Sequence, residues 1–195
     1  VCSGTVVNDN GRAGYSTVLT AAHCEFDQKS RKYASMWLFI PAFDVAKSYT
    51  CSATALGCWN KAAIVTRTEF TSSRRLTTDA LAHDWAFVVV GGGGKTGASR
   101  QLDADVSLTT TPTGLALETG SGVGTRMTAI GYPAASPYNG YELAYCQGIV
   151  YTDPLQANRT YGMDCDMTGG SSGGPWVKNA NSGFGATLRS LNSYG

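Results

Sequence analysis

Short apolar or alternating runs separated by glycine-rich or polar turns recur along this chain, whereas long apolar stripes at the 3.6-residue helical period do not. Residues 1–8 read as a strand, 8–14 as turn chemistry, and 16–20 as a short β-type run that delivers Ala21-Ala22-His23-Cys24 at its end. Residues 26–33 are polar and loop-like. Met36-Trp37-Leu38-Phe39-Ile40-Pro41 has the length of a buried strand, with its aromatics expected in the core. Residues 62–66 and 85–90 predict further strands, the second a core strand with Asp84 at its mouth, and residues 71–78 an exposed loop. Residues 91–111 are expected to form a flexible connection between two halves. Beyond it, 109–124 is rich in Thr, Gly and Pro and carries no assignment. Residues 126–133 predict a strand ending in a Gly-Tyr-Pro turn, 141–151 a longer strand with Cys146, and 176–178 the start of another. A polar hairpin loop over 179–185 then leads to a strand over 186–194. The pattern is that of an all-β protein, and 24 glycines suit its many turns.

Composition narrows the function. With 195 residues the chain can bury a substantial core as one domain or as two small halves. A net charge of +1 and a charged fraction of 15% leave no polyanion footprint, so nucleic acid is not an expected partner. No apolar run approaches the roughly 20 residues of a membrane span. Cys2, Cys24, Cys51, Cys58, Cys146 and Cys165 make an even count with no C-x-x-C pair, which fits a disulfide framework better than zinc. An oxidising, extracellular location follows, and a secreted protein is expected. Because residue 1 already lies in a strand pattern, it is expected to be a cut or processing point.

The candidate chemistry centres on Gly169-Gly170-Ser171-Ser172-Gly173-Gly174-Pro175-Trp176. A serine between glycines can occupy a tight turn whose N–H groups face the same space as its hydroxyl, as acyl transfer requires. Gly170-Ser171-Ser172-Gly173-Gly174 also matches the G-x-S-x-G elbow, but an elbow serine is followed by its acid and then its histidine. Both histidines, His23 and His83, lie upstream. The order His23, Asp84, Ser172 instead suits a base, an orienting acid and a nucleophile in that sequence. Asp44 and Asp79 are rivals by type only, and His83 reads as a surface neighbour of the aspartate. A P-loop-like stretch, Val89-Val90-Gly91-Gly92-Gly93-Gly94-Lys95-Thr96, lacks the first required glycine and a following helical pattern, so no nucleotide is expected.

Thr20-Ala21-Ala22-His23-Cys24, the Asp84-Trp85-Ala86 strand start and Gly170-Ser171-Ser172-Gly173-Gly174-Pro175, in that order, resemble the trypsin-like (chymotrypsin-fold) serine endopeptidases. Gly131-Tyr132-Pro133 resembles in particular their glutamyl-endopeptidase-like (V8-like) branch. The resemblance implies two six-stranded antiparallel β-barrels, residues 1–100 carrying His23 and Asp84 and residues 101–195 carrying Ser172, with the active site in the cleft between them. It also implies a final strand and a C-terminal helix after residue 195, leaving the second barrel incomplete here. His23 would be the general base, Asp84 its orienter, Ser172 the nucleophile, and the N–H groups of Gly170 and Ser172 the oxyanion hole. A polypeptide is the implied substrate, a monomer the implied state, and no cofactor or metal is implied. The alternative is a catalytically inactive binding module of the same fold.

Finer roles also follow from the resemblance. Proximity in sequence and in the implied fold favours the pairs Cys2–Cys24, Cys51–Cys58 and Cys146–Cys165. Asp166 and Thr168 would line the pocket for the side chain preceding the cut bond. Asp166 stands where trypsin-type enzymes attract Arg or Lys, although in the V8-like branch an aspartate there does not announce basic specificity. Ser193, Tyr194 and Gly195 resemble the edge that pairs with substrate backbone. The best-known members carry aspartate just before the nucleophile, where it pairs with a freed N-terminal amine. Ser171 has no charge for that pairing, so activation by it is not expected. Asn158-Arg159-Thr160 is a glycosylation sequon.

Overall fold

The computed structural model describes residues 1–9, 13–44, 50–95, 97–105, 116–120, 122–180 and 186–195. In chain order its elements are β1 (Thr5–Val7), β2 (Ser16–Thr20), α1 (Ala22–Glu25), β3 (Phe26–Asp27), β4 (Lys32–Tyr33), β5 (Leu38–Phe39) and β6 (Trp59–Thr66). Then follow α2 (Thr68–Ser72), α3 (Thr78–Leu81), β7 (Ala86–Val90), α4 (Leu102–Asp105), β8 (Ala116–Leu117) and β9 (Arg126–Gly131). The last are β10 (Ala144–Ile149), β11 (Tyr151–Thr152), a 3₁₀ turn (Pro154–Gln156), β12 (Tyr161–Gly162), β13 (Pro175–Lys178) and β14 (Thr187–Leu191).

Strand β7 shows why the first half folds as it does. Ala86, Val88 and Val90 alternate with less buried Phe87 and Val89, and β-branched side chains at this period fit a pleated sheet with one face in the core. The strand pairs antiparallel with β2 on one side and β6 on the other, giving the sheet order β1-β2-β7-β6-β5. Val6, Val18, Trp59, Val88, Val90 and Leu102 form its core. Fully burying side chains of this size contributes about 1.5–3 kcal/mol each. In the second half the order is β10-β9-β13-β14-β8, antiparallel except for the parallel β14–β8 pair, over a core of Met127, Ala129, Val150, Met163 and Trp176. Val7 and Leu19 pack on Leu188, so the two sheets meet through β1, β2 and β14. The molecule is all-β in character, with five strands in each main sheet among the described residues where six per barrel were expected.

Several local expectations change. Residues 71–78 are not simply a loop, because α2 and α3 flank the turn and seat Phe70 and Ala80 in a buried cluster with Ala22, Phe26 and Ala86. Thr77 caps α3 by accepting from the Ala80 N–H at 3.2 Å. Residues 26–33 form a hairpin, whose turn is held by Asp27 accepting from Lys29 N at 2.8 Å and Ser30 Oγ at 2.7 Å. The apolar run at 36–41 yields only the two-residue β5. Met36 is 91% exposed, while Trp37 and Phe39 pack against the first core.

Residues 91–105 are also more than a connection. Gly93 and Gly94 exchange backbone hydrogen bonds with Arg100 and Cys58, and Leu102 is buried in the first core. The remainder of that expected linker, 106–111, lies outside the described residues, as do Thr96 and most of the hairpin loop at 179–185. The expected strand over 141–151 is broken into β10 and β11 at Val150, whose N–H and C=O turn to Thr125 and Gly124. All six cysteines pair as Cys2–Cys24, Cys51–Cys58 and Cys146–Cys165.

Candidate active site

His23 sits in the single turn α1, directly after β2. Asp84 lies between α3 and β7, where Asp84 N donates to Leu81 O at 3.3 Å before the strand begins. Since β2 and β7 are neighbours, with Thr20 opposite Ala86, the sheet register brings the two residues together. Asp84 is 3% exposed, and its carboxylate is satisfied by three donors. Oδ1 accepts from the His23 backbone N–H at 2.8 Å, while Oδ2 accepts from His23 Nδ1 at 2.6 Å and from Ser193 Oγ at 2.5 Å. A proton on Nδ1 leaves Nε2 as the basic nitrogen of the ring. Nε2 has no hydrogen-bond partner among the described residues. His83 turns away, its Nδ1 2.8 Å from Asp79 O, and Asp79 pairs with Arg159 at 2.7 Å.

The serine segment is built from the backbone. Ser171 N donates to Thr168 O at 3.2 Å across Gly169 and Gly170, and Gly170 has φ +103°, as the third residue of a type II turn requires. A Cβ on Gly170 would lie 2.7 Å from Tyr132 O and 2.8 Å from Ala134 Cβ, so the position excludes any side chain. Gly173, at φ +86°, is packed against Thr20, Ser3 and Ala21 of the first half with no room for a Cβ.

Every carbonyl from 169 to 172 has a donor. Ala134 N donates to Gly169 O at 2.7 Å, and Ser3 Oγ to Gly170 O at 2.9 Å. Gly174 N and Asn192 Nδ2 donate to Ser171 O at 2.9 and 3.1 Å, and Ser3 N to Ser172 O at 2.7 Å. Conversely, the N–H groups of Gly170 and Ser172 have no acceptor among the described residues. Fixed carbonyls with open amides are what an oxyanion hole needs.

The Ser172 carbonyl oxygen lies 3.9 Å from Cys24 Sγ, so the serine backbone rests against the residue after His23. No hydrogen bond joins the Ser172 hydroxyl to the imidazole. Sulfurs of Cys2 and Cys24 and a ring nitrogen of His23 fall within 4.8 Å of one another, but the disulfide removes the thiolates a metal would need.

Openings lie to both sides of this centre. A cavity of about 340 Å³ touches Asp84, Leu81, Trp85, Ser193 and Tyr194, and a groove of about 900 Å³ runs past the Cys2–Cys24 disulfide, Trp37, Phe39 and Leu143. At the edge of the 340 Å³ cavity, Ser193 and Tyr194 leave their backbone N–H and C=O groups without partners among the described residues. The Tyr194 hydroxyl donates to Asp153 Oδ2 at 2.6 Å, and burial together with that contact pushes its pKa up to about 12. Asp166 is exposed, and its hydrogen bonding raises the pKa of the Tyr138 phenol. Thr168 Oγ1 donates to Ala135 O at 2.9 Å and accepts from Ala135 N at 3.2 Å, so it braces the loop. Ser171, 8% exposed, turns its hydroxyl to Thr168 O at 2.9 Å.

Sequence reasoning missed two residues. Asn192 bridges Ile130 O, Ser171 O and Trp176 Nε1, and Ser3 holds two carbonyls of the serine segment. Their only signal is a polar residue just outside a short strand, which does not reveal what it will meet.

Comparison with known proteins adds family and fold. The trypsin-like peptidase domain matches residues 2–185. No match was found among curated proteins. A thermostable serine protease, AL20, from an extremophilic microorganism is 34% identical, with a TM-score of 0.77 over 100% of this chain and 78% of that one. The protease Anisep from Arthrobacter nicotinovorans is also 34% identical, with a TM-score of 0.76 over 100% and 77%. A Glu endopeptidase, at 16% identity and a TM-score of 0.63 over 100% and 74%, supports the fold alone and not a branch within it. The domain match spans nearly the whole chain and both proteases align over all of it, so this chain belongs to the trypsin-like peptidase family and is a serine endopeptidase.

Proposed function

We propose that the protein cuts polypeptides through His23, Asp84 and Ser172 by way of an acyl-enzyme. His23 Nε2 takes the proton of Ser172 Oγ as that oxygen attacks the scissile carbonyl, and Asp84 stabilises the imidazolium that results. The tetrahedral oxyanion takes hydrogen bonds from Gly170 N and Ser172 N. Collapse expels the amine, protonated by His23, and leaves an ester on Ser172. Water, deprotonated by the same nitrogen, then hydrolyses the ester. The observation that carries this reading is the 2.6 Å bond from His23 Nδ1 to a buried, triply bonded carboxylate, since it sets the tautomer the relay needs.

Residues 1–100 and 101–195 are taken as the two barrels, and the cleft between them as the substrate site. Ser193, Tyr194 and Gly195 would pair with substrate backbone, and Asp166 would face the side chain before the cut. Three disulfides suit an oxidising, extracellular location, and no described helix is long and apolar enough to cross a membrane. A monomer acting without cofactor, nucleic acid or membrane completes the reading.

A fluorophosphonate probe tests it. Wild type should be labelled and Ser172→Ala should not. A folded wild type that stays unlabelled would favour an inactive binding module. Peptide-library profiling of Asp166→Ala separates the pocket from the triad. Lost Arg/Lys cleavage assigns Asp166 to specificity, and an unchanged profile removes it from that role.

A further inference from the structure

Ser3 stands outside the three reacting residues, yet it touches the serine segment twice. Its N–H donates to Ser172 O at 2.7 Å, and its hydroxyl donates to Gly170 O at 2.9 Å while accepting from Tyr132 N at 2.8 Å. Its own carbonyl accepts from Thr20 Oγ1 at 2.7 Å. The residue is 6% exposed, and its neighbour Cys2 is tied by a disulfide to Cys24, next to His23. One residue of the first half thus holds both ends of the short segment that carries the open amides.

The geometry points to Ser3 as a positioning residue that sets the oxyanion donors through the Gly170 carbonyl, an inference that rests on the proposed role of Ser172. A peptide unit is planar, so fixing the carbonyl of residue 170 fixes the plane joining it to Ser171. The Gly170–Ser171 unit links the two units that carry the donors, Gly169–Gly170, whose carbonyl Ala134 N holds at 2.7 Å, and Ser171–Ser172, and Gly170 has the backbone freedom of glycine about that link. Among the described residues, the Ser3 hydroxyl is the donor that the Gly170 carbonyl has. Because that hydroxyl also accepts from Tyr132 N, its proton is directed at Gly170 O. Without it, the part-buried Gly170 carbonyl and Tyr132 N–H each lose a partner, and rotation of the Gly170–Ser171 unit to recover one tilts the donor units on either side. A contact that orients the oxyanion donors acts on the transition state more than on substrate binding.

The test compares kcat and KM of wild type, Ser3→Ala, Ser3→Thr and Ser3→Val on a peptide substrate, with rates expressed per active site counted by an acylation burst. Ser3→Ala should lose about 10- to 100-fold in kcat with KM within about threefold, less than removal of an oxyanion donor itself. Threonine and valine share a shape, so Thr above Val by at least about tenfold isolates the hydroxyl even if the alanine variant folds poorly. Thr20→Val removes the bond to the Ser3 carbonyl but leaves the hydroxyl clamp. It should lower Tm while holding kcat.

Equal kcat for the Thr and Val variants would overturn the proposal. So would a kcat loss in Thr20→Val matching that of Ser3→Ala, or a Ser3→Ala effect confined to KM. The underlying reading fails separately, through full activity of Ser172→Ala.

Discussion

The histidine side and the serine side of the proposed site are ordered by different means. On the histidine side, one buried carboxylate collects the backbone and ring N–H of His23 and the Ser193 hydroxyl, so side chains impose the geometry. On the serine side, four successive carbonyls are held while two amides stay open, so the backbone imposes it and glycines make the path possible. In the proposed mechanism the first arrangement stabilises a charge that forms on a side chain, and the second leaves donors waiting for a charge that forms on the substrate. Damage to the two sides should therefore differ in kind as well as size.

The largest loss is expected when either end of the proton path is removed. Ser172→Ala, His23→Ala and the double variant should each lose on the order of 10⁴- to 10⁶-fold in kcat, the double little worse than the singles. Multiplicative losses in the double variant would mean that the two residues do not act as one unit. Asp84→Asn should cost about 10⁴-fold, because an amide that donates to Nδ1 leaves the wrong ring nitrogen basic.

On the serine side, Gly170→Ala forces a Cβ toward Tyr132 O and Ala134 at a backbone angle that alanine avoids. A loss of about 10²- to 10³-fold in kcat is expected, with burst labelling of Ser172 slowed but not abolished. Activity within a few fold of wild type would show that the Gly170 amide is not a donor to the oxyanion.

The smallest effect concerns stability near the histidine side. Glu25 is 2% exposed, Trp37 Nε1 donates to its Oε1 at 2.5 Å, and Oε2 has no partner among the described residues. Burial pushes its pKa above 4.5, against the opposing influences of Trp37 and Lys61. The fold binds this proton more tightly than the unfolded chain does, so stability falls as pH rises from 4.5 through the raised value. Glu25→Gln should raise Tm by a few degrees at pH 8, with the gain shrinking toward pH 4.5. A gain independent of pH would contradict the buried-carboxylate explanation.

The same contrast explains what the sequence discloses. His23 and Asp84 stand out because side-chain chemistry and strand position can be read together, and the cysteine pairs follow from nearness in sequence and in the implied fold. Ser172 stands out through its glycines. Ser3 and Asn192 do not, because they matter only for the carbonyls that folding brings to them from distant segments. Helices α2 and α3 escaped notice because they are too short to display a period, and Phe70 is the buried anchor that orders them. Strand count was less legible than strand character. Alternation marks β7 clearly, but two-residue strands such as β5 and β8 are defined by their pairing partners.

The most direct measurement is a crystal structure of the enzyme after reaction with a peptidyl phosphonate. The account predicts phosphorus bonded to Ser172 Oγ, its oxyanion about 2.7–3.1 Å from both Gly170 N and Ser172 N, and His23 Nε2 at hydrogen-bond distance from an adduct oxygen. An adduct on another residue, or an oxyanion facing away from both amides with His23 out of reach, would contradict it.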